Sequence, residues 1–239
     1  MTLLYEGWSL LDVRAPVMVA ATFDSDNRKT GPMVQLWIMR TDVHPFHAVR
    51  TREDAAICGD CMHRGSTCYV TVQHAPAAIY RAFKAGSFER RDAPPAVSYL
   101  LQDRHVRVGA YGDPAAVPVE WWETILRRTE GWTAYTHQWR HCNTRLQKIA
   151  MASVDSVQEM FEAQAMGWRT YRVRTSDSPL LRETSCPASQ EMNHRSTCIN
   201  CLLCDGRSLG DHRPSISILA HGPVVQFYRS RQQVLPLGE

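Results

Sequence analysis

At 239 residues, with 44% apolar and 21% charged residues, the chain has an ordinary globular balance and enough apolar material for a sizeable core. A formal net charge of +3 sets up no field that would by itself demand a nucleic-acid partner. No apolar run approaches the ~18 residues needed to span a bilayer. The opening MTLLYEGWSLLDVR has acidic Glu6 and Asp12 and no basic leader, so a cytoplasmic location and no membrane partner are expected.

In chain order, PVMVAATF at 16–23 and MVQLWIMR at 33–40 predict strands, separated by the breaker-rich turn DSDNRKTGP at 24–32. A cysteine-bearing loop runs over about 57–69. APAAIYRAFKAGS at 75–87 predicts a helix with Pro76 in its first turn and Gly86 ending it. HVRVGAY at 105–111 predicts a strand that runs into Gly112, Asp113 and Pro114. PVEWWETILRRT at 118–129 predicts a helix, with Pro118 near its start and Gly131 after it.

Further strands are expected at 132–137, 149–154, 168–173 and 215–221, with a helix at 157–166 capped by Asp155 or Ser156. Arg169, Arg172 and Arg174 recur along one of these strands, which reads as a partly solvated face. Trp121, Trp122 and Trp132 read as core. The alternation of strands and helices predicts an α/β fold, a partial (open) β/α barrel with parallel strands and metal-binding cysteine loops. No linker divides the chain, so a single domain over 1–239 is expected.

Cysteine spacing carries the chemistry. The eight cysteines include Cys58, Cys61 and Cys68 in one group and Cys186, Cys198, Cys201 and Cys204 in another, near 186–205, with Cys142 alone as a free thiol. A chain of this length without a leader is a poor disulfide scaffold, and C-x2-C pairs suit a metal that gathers thiolates from a tight turn. Cys58-x2-Cys61-x6-Cys68 fits an iron–sulfur cluster with one open iron, or zinc with His63 as fourth ligand. The second group can saturate a cluster by itself, or hold zinc with His221 replacing one member.

In a parallel sheet the strand ends share one rim with the cysteine loops. Asp113, Tyr135, Thr136, His137, Asp155, Ser156 and His221 stand at those ends. Asp113, Tyr135, His137 and Asp155 are the candidates for acid–base or metal-assisted catalysis. Structural alternatives are a turn or cap role for Asp113 and Asp155, and a buried structural role for His137.

Several segments in fixed order resemble a family of phage-encoded, cysteine-rich proteins: NRKTGP (27–32), CGDC with CYV (58–70), VRVGAYGDP (106–114), WTAYTHQW (132–139), and CPAS with C-x2-C-x2-C (186–204) followed by AHG (220–222). Membership would put the protein in the host cytoplasm. More remotely, Cys68–Tyr69, Asp113–Pro114, the 118–129 helix and Thr136 resemble radical SAM enzymes of the spore photoproduct lyase type, with C-x2-C-x6-C in place of the usual C-x3-C-x2-C. That resemblance implies a partial β/α barrel, a 4Fe-4S cluster and S-adenosylmethionine, with Tyr69, Gly112 and Thr136 beside the cofactor. Cys198, Cys201, Cys204 and His221 also echo the zinc site of tRNA-guanine transglycosylases, which would make Asp113 or Asp155 a nucleophile or base.

Three functions follow as expectations. The first is an iron–sulfur enzyme, with one or two clusters, that modifies a nucleic acid or nucleotide. The second is a zinc-containing enzyme exchanging a guanine-type base in DNA or RNA. The third is a non-catalytic metal-binding module.

Overall fold

The computed structural model describes residues 1–208, 210–221 and 225. Three strands open the chain: β1 (Thr2–Trp8), β2 (Pro16–Thr22) and β3 (Val34–Arg40). They form an antiparallel meander, β1 against β2 and β2 against β3. This corrects the expectation of parallel strands throughout. The 24–32 turn contains no crossover helix, so β3 can only return beside β2. Val17, Met18, Val19, Ala20 and Ala21 are all fully buried, which makes β2 a central strand.

After β3 the chain becomes helical. Short helices α1 (Pro45–Thr51) and α2 (Ala55–Cys58) lead into the first cysteine loop. Then come α3 (Ala75–Lys84), β4 (Glu89–Arg90), α4 (Pro94–Leu100) and β5 (His105–Tyr111). Helix α5 (Val119–Ile125) continues as a 3-10 turn through Arg128, so the single α-helix expected over 118–129 is divided. Trp122 is fully buried and its indole donates to Pro114 O at 2.9 Å, which fixes α5 against the turn after β5.

The remaining elements are β6 (Gly131–Thr133), β7 (Tyr135–Thr136), β8 (Met151–Val154), α6 (Val157–Ala165), β9 (Thr170–Arg174), β10 (Glu183–Ser185), α7 (Cys198–Cys201) and β11 (Ser215–Leu219). Ser156 caps α6, its hydroxyl accepting from Glu159 N.

One sheet has the order β4-β1-β2-β3-β5-β6, the other β10-β11-β9-β8-β7. From β3 onward every pairing is parallel. A single residue, Ala134, separates β6 from β7, so the segment 131–136 passes from one sheet to the other. Ala134 N donates to Cys204 O, and its carbonyl accepts from Met151 N. The main core runs from the first sheet and helices α3–α5 to β8 of the second sheet, where Ala152 and Val154 join Met160 and Ala163 of α6. A smaller cluster of Met151, Cys186, Ala188, Cys204, Ile216 and Ile218 packs under the second.

The arginines of β9 are not a solvated face. Arg169, Arg172 and Arg174 are all buried. Arg172 makes a two-pronged pair with Glu183, at 2.8 and 2.6 Å. Arg174 pairs with Glu191, and Arg169 lies 3.5 Å from Asp205. The irregular segment after β9 supplies these acids and covers the face that alternation alone assigns to water. Arg172→Ala leaves the buried Glu183 carboxylate without its counter-charge, with an expected loss of about 3–5 kcal/mol. Denaturant unfolding checks this, and a loss below about 1 kcal/mol would show that the pair behaves as a surface one.

Among the described residues, no helix is long and apolar enough to cross a membrane.

Candidate metal and active site

The first cysteine loop follows β3 and is turned back on itself. His63 O accepts the N–H groups of Ser66, Thr67 and Cys68, at 3.2, 3.1 and 2.9 Å. Arg64 pins the loop from inside, donating to Asp54, to Gly59 O at 2.6 Å and to Arg52 O at 2.8 Å. Gly59 ends α2 with φ +51°, and a Cβ there would collide with the Gln138 side chain. Gln138 in turn donates to Cys58 O at 3.1 Å. The cysteine turn is therefore docked onto the residues that follow β7.

Asp113 organises the same junction. Its carboxylate accepts from Ala115 N at 2.9 Å, Thr136 Oγ1 at 2.7 Å and His137 N at 2.8 Å, while its own N–H donates to Ile57 O. It caps the 3-10 turn Pro114–Ala116 rather than the 118–129 helix. Burial raises its pKa to about 6. Both oxygens are engaged, so Asp113 is a positioning residue joining the ends of β5 and β7 to the cysteine loop.

Gly112 and Thr136 serve the same junction. Gly112 has φ +82°, and a Cβ would lie 2.4 Å from Ile38 O, so only glycine lets β5 approach β3 here. Thr136 is fully buried, donating to Asp113 and accepting from Gln138 N at 2.9 Å.

Three further side chains meet beside this loop. His63 Nε2 lies 2.9 Å from Asp155 Oδ1, and His137 Nε2 lies 3.7 Å from Asp155 Oδ2. The two imidazoles meet edge to face with centroids 5.5 Å apart. Burial lowers the His137 pKa to about 4 against the opposing pull of Asp155, so its imidazole is neutral at physiological pH. Asp155 also bears on Cys61, whose thiol burial pushes up to about 12.

The second cysteine group lies elsewhere. Cys198 N donates to Lys29 O and Ile199 N to Thr30 O, in the NRKTGP turn before β3. Leu202 packs where Gly131 opens β6. These contacts place the group toward the amino ends of β3 and β6, not on the rim expected for both loops. Cys204 is buried and hydrogen-bonded to the Tyr135 hydroxyl. His221 is exposed beyond the carboxyl end of β11, and Gly222 of the AHG segment is outside the described residues.

Between the two groups stand Tyr69, Arg107, Tyr135 and Tyr171. Arg107 donates to the Tyr69 hydroxyl and lies 5.8 Å from its ring centroid. Tyr135 and Tyr171 meet edge to face at 4.8 Å. Burial raises the Tyr171 pKa well above its usual value, with Cys186, Cys204, Cys198 and Tyr69 adding to the effect.

All eight cysteines are free thiols. Burial is the first cause raising Cys58, Cys61, Cys68, Cys198, Cys201 and Cys204. Neighbouring thiols reinforce the effect on Cys58, Cys61, Cys198, Cys201 and Cys204, and the Asp54 charge does so on Cys68. A bound cation would reverse that effect by stabilising thiolates, but among the described residues neither cysteine set brings three ligand atoms within 4.8 Å of one another. Cys142 stands apart, half-buried and raised to about 12 by burial.

The chain is thus a mixed α/β protein whose parallel strands carry two thiol groups and a His–His–Asp cluster. No protein-family model, curated protein or solved structure matches it.

Proposed function

We propose that this protein is an iron–sulfur enzyme of radical SAM-like type that modifies a nucleic acid or nucleotide within a partial β/α barrel. Cys58, Cys61 and Cys68 hold the reactive cluster, and Cys186, Cys198, Cys201 and Cys204 hold a second. The observation that carries this reading is the placement of Tyr135 on β7 and of His137 directly after it. Tyr135 meets Cys204, while His137 meets the cluster of side chains beside Cys61. Only Thr136 separates the two, so at ~3.3 Å per residue their backbones lie within about 7 Å of each other. The segment 135–137 thus links the second thiol group to the side chains beside the first.

A cluster held by Cys58, Cys61 and Cys68 would supply one-electron chemistry to S-adenosylmethionine. The protein's own residues do the rest. Arg107 offers a cation to an anionic substrate, and Tyr69, Tyr135 and Tyr171 offer rings against which a planar base can stack. Asp113 holds the His137 backbone, and through Thr136 and Gln138 the cysteine turn, so that both keep their places at the end of β7. Base exchange with Asp113 as nucleophile gains no support, because its oxygens already accept three hydrogen bonds.

Metal and acid-labile sulfide analysis of protein purified without oxygen tests the proposal. The expected content is about four to eight iron atoms per chain with matching sulfide. Zinc without sulfide would refute it.

A further inference from the structure

The group of donors at His63, His137 and Asp155 belongs to neither cysteine set. One ligand atom from each lies within 4.8 Å of the others. They come from three places: the first cysteine loop, the residue after β7, and the residue between β8 and α6. His137 Nε2 is buried and makes no hydrogen bond. Leaving a buried imidazole nitrogen unsatisfied is costly, and it faces a carboxylate oxygen across 3.7 Å.

Each donor is fixed by a separate anchor. His63 Nδ1 is 2.6 Å from Thr67 Oγ1, the outer-sphere partner that orients a metal-binding imidazole. The His137 backbone N–H is tied to Asp113 at 2.8 Å, and the Asp155 backbone N–H to Glu159 Oε2 at 2.8 Å. Their mutual position is thus set by the fold.

We propose that His63, His137 and Asp155 form a third site, which binds one divalent transition ion such as Zn2+ or Fe2+ through two imidazoles and a carboxylate. An ion between them takes the lone pair of His137 Nε2 and the charge of Asp155. Two nitrogens and one oxygen are a ligand set suited to these ions, with coordination left for water or a substrate oxygen. The site stands beside Cys61, whose thiol lies near Asp155. It does not require that the cysteines hold iron.

The test is titration of the full-length protein with Co2+, read by its visible spectrum and by thermal melting. One ion per chain with nitrogen–oxygen coordination and a raised melting temperature is expected. His137→Ala and Asp155→Asn should each weaken this binding by more than about tenfold, the loss that even an outer-sphere change produces. Iron and sulfide content should not change. Thr67→Val, which keeps all three ligands, should weaken binding by about 10–100-fold and guards against misfolding of the ligand variants. Equal Co2+ affinity in His137→Ala and the parent would overturn the site. So would a thiolate-to-cobalt band that vanishes in Cys61→Ser, or no ion bound outside the cysteines. Loss of iron and sulfide with Co2+ binding retained would instead count only against the cluster reading.

Discussion

Cys68→Ala is expected to lose about half of the iron and sulfide, as for one of two clusters, and to retain the cooperative unfolding of the parent. Cys68 is exposed and is held through its backbone N–H to His63 O at 2.9 Å. Removing its side chain therefore takes away a thiolate without opening a cavity. The second group stays intact because its anchors are separate: Lys29, Thr30 and Gly131 at the amino ends of β3 and β6. Cys204→Ala makes the contrasting case. Cys204 is buried in the smaller core beside Met151 and Ile216 and is bonded to Tyr135. Its removal should cost stability as well as the second cluster. Iron and sulfide assays on the two variants, with melting curves, check this. Loss of all metal in Cys68→Ala, or of none, would refute two independent sites.

The strands of the sheet were largely legible in the sequence. HVRVGAY at 105–111 matches β5 to the residue, and the strands expected at 16–23 and 33–40 differ from β2 and β3 by a single residue at one end. These segments are rich in β-branched residues and end at breakers, so local pattern suffices. β1 was missed because Glu6 and Gly7 interrupt its apolar run, although its first residues are buried. Helices α1 and α4, each seven residues long, are too short for helical periodicity to stand out.

Long-range pairing was less legible. The carboxylates that bury Arg172 and Arg174 lie in a segment without periodicity, and nothing local announces them. The NRKTGP turn was recognisable as a motif, but its partner is Cys198, far along the chain. His63 could be suspected only from its place among cysteines. That Asp155 and His137 would meet it follows from parallel strand order, which brings the ends of β7 and β8 together. Gln138, which ties Cys58 to Thr136, carries no signal in the sequence.

Asp113 is expected to have an effect on stability as large as that of Arg172, and one on the site as well. In Asp113→Ala the donors at Ala115 N, Thr136 Oγ1 and His137 N lose their acceptor in a buried setting. Each unpaired buried donor costs about 1–3 kcal/mol, and neighbours do not add fully, so a loss of about 3–5 kcal/mol is expected. Asp113→Asn separates stability from positioning. Its amide oxygen can keep Ala115 and Thr136, but the amide nitrogen then faces the His137 N–H, donor against donor. The loss should fall to about 1–3 kcal/mol, concentrated at the backbone that aims His137. Co2+ affinity at the His–His–Asp group should therefore weaken in Asp113→Asn, while iron at the cysteines persists. Urea unfolding and the cobalt titration, run on the same preparations, read the two effects separately. If Asp113→Asn matches the parent in both, neither the bond to His137 nor the carboxylate charge sets the fold or the site.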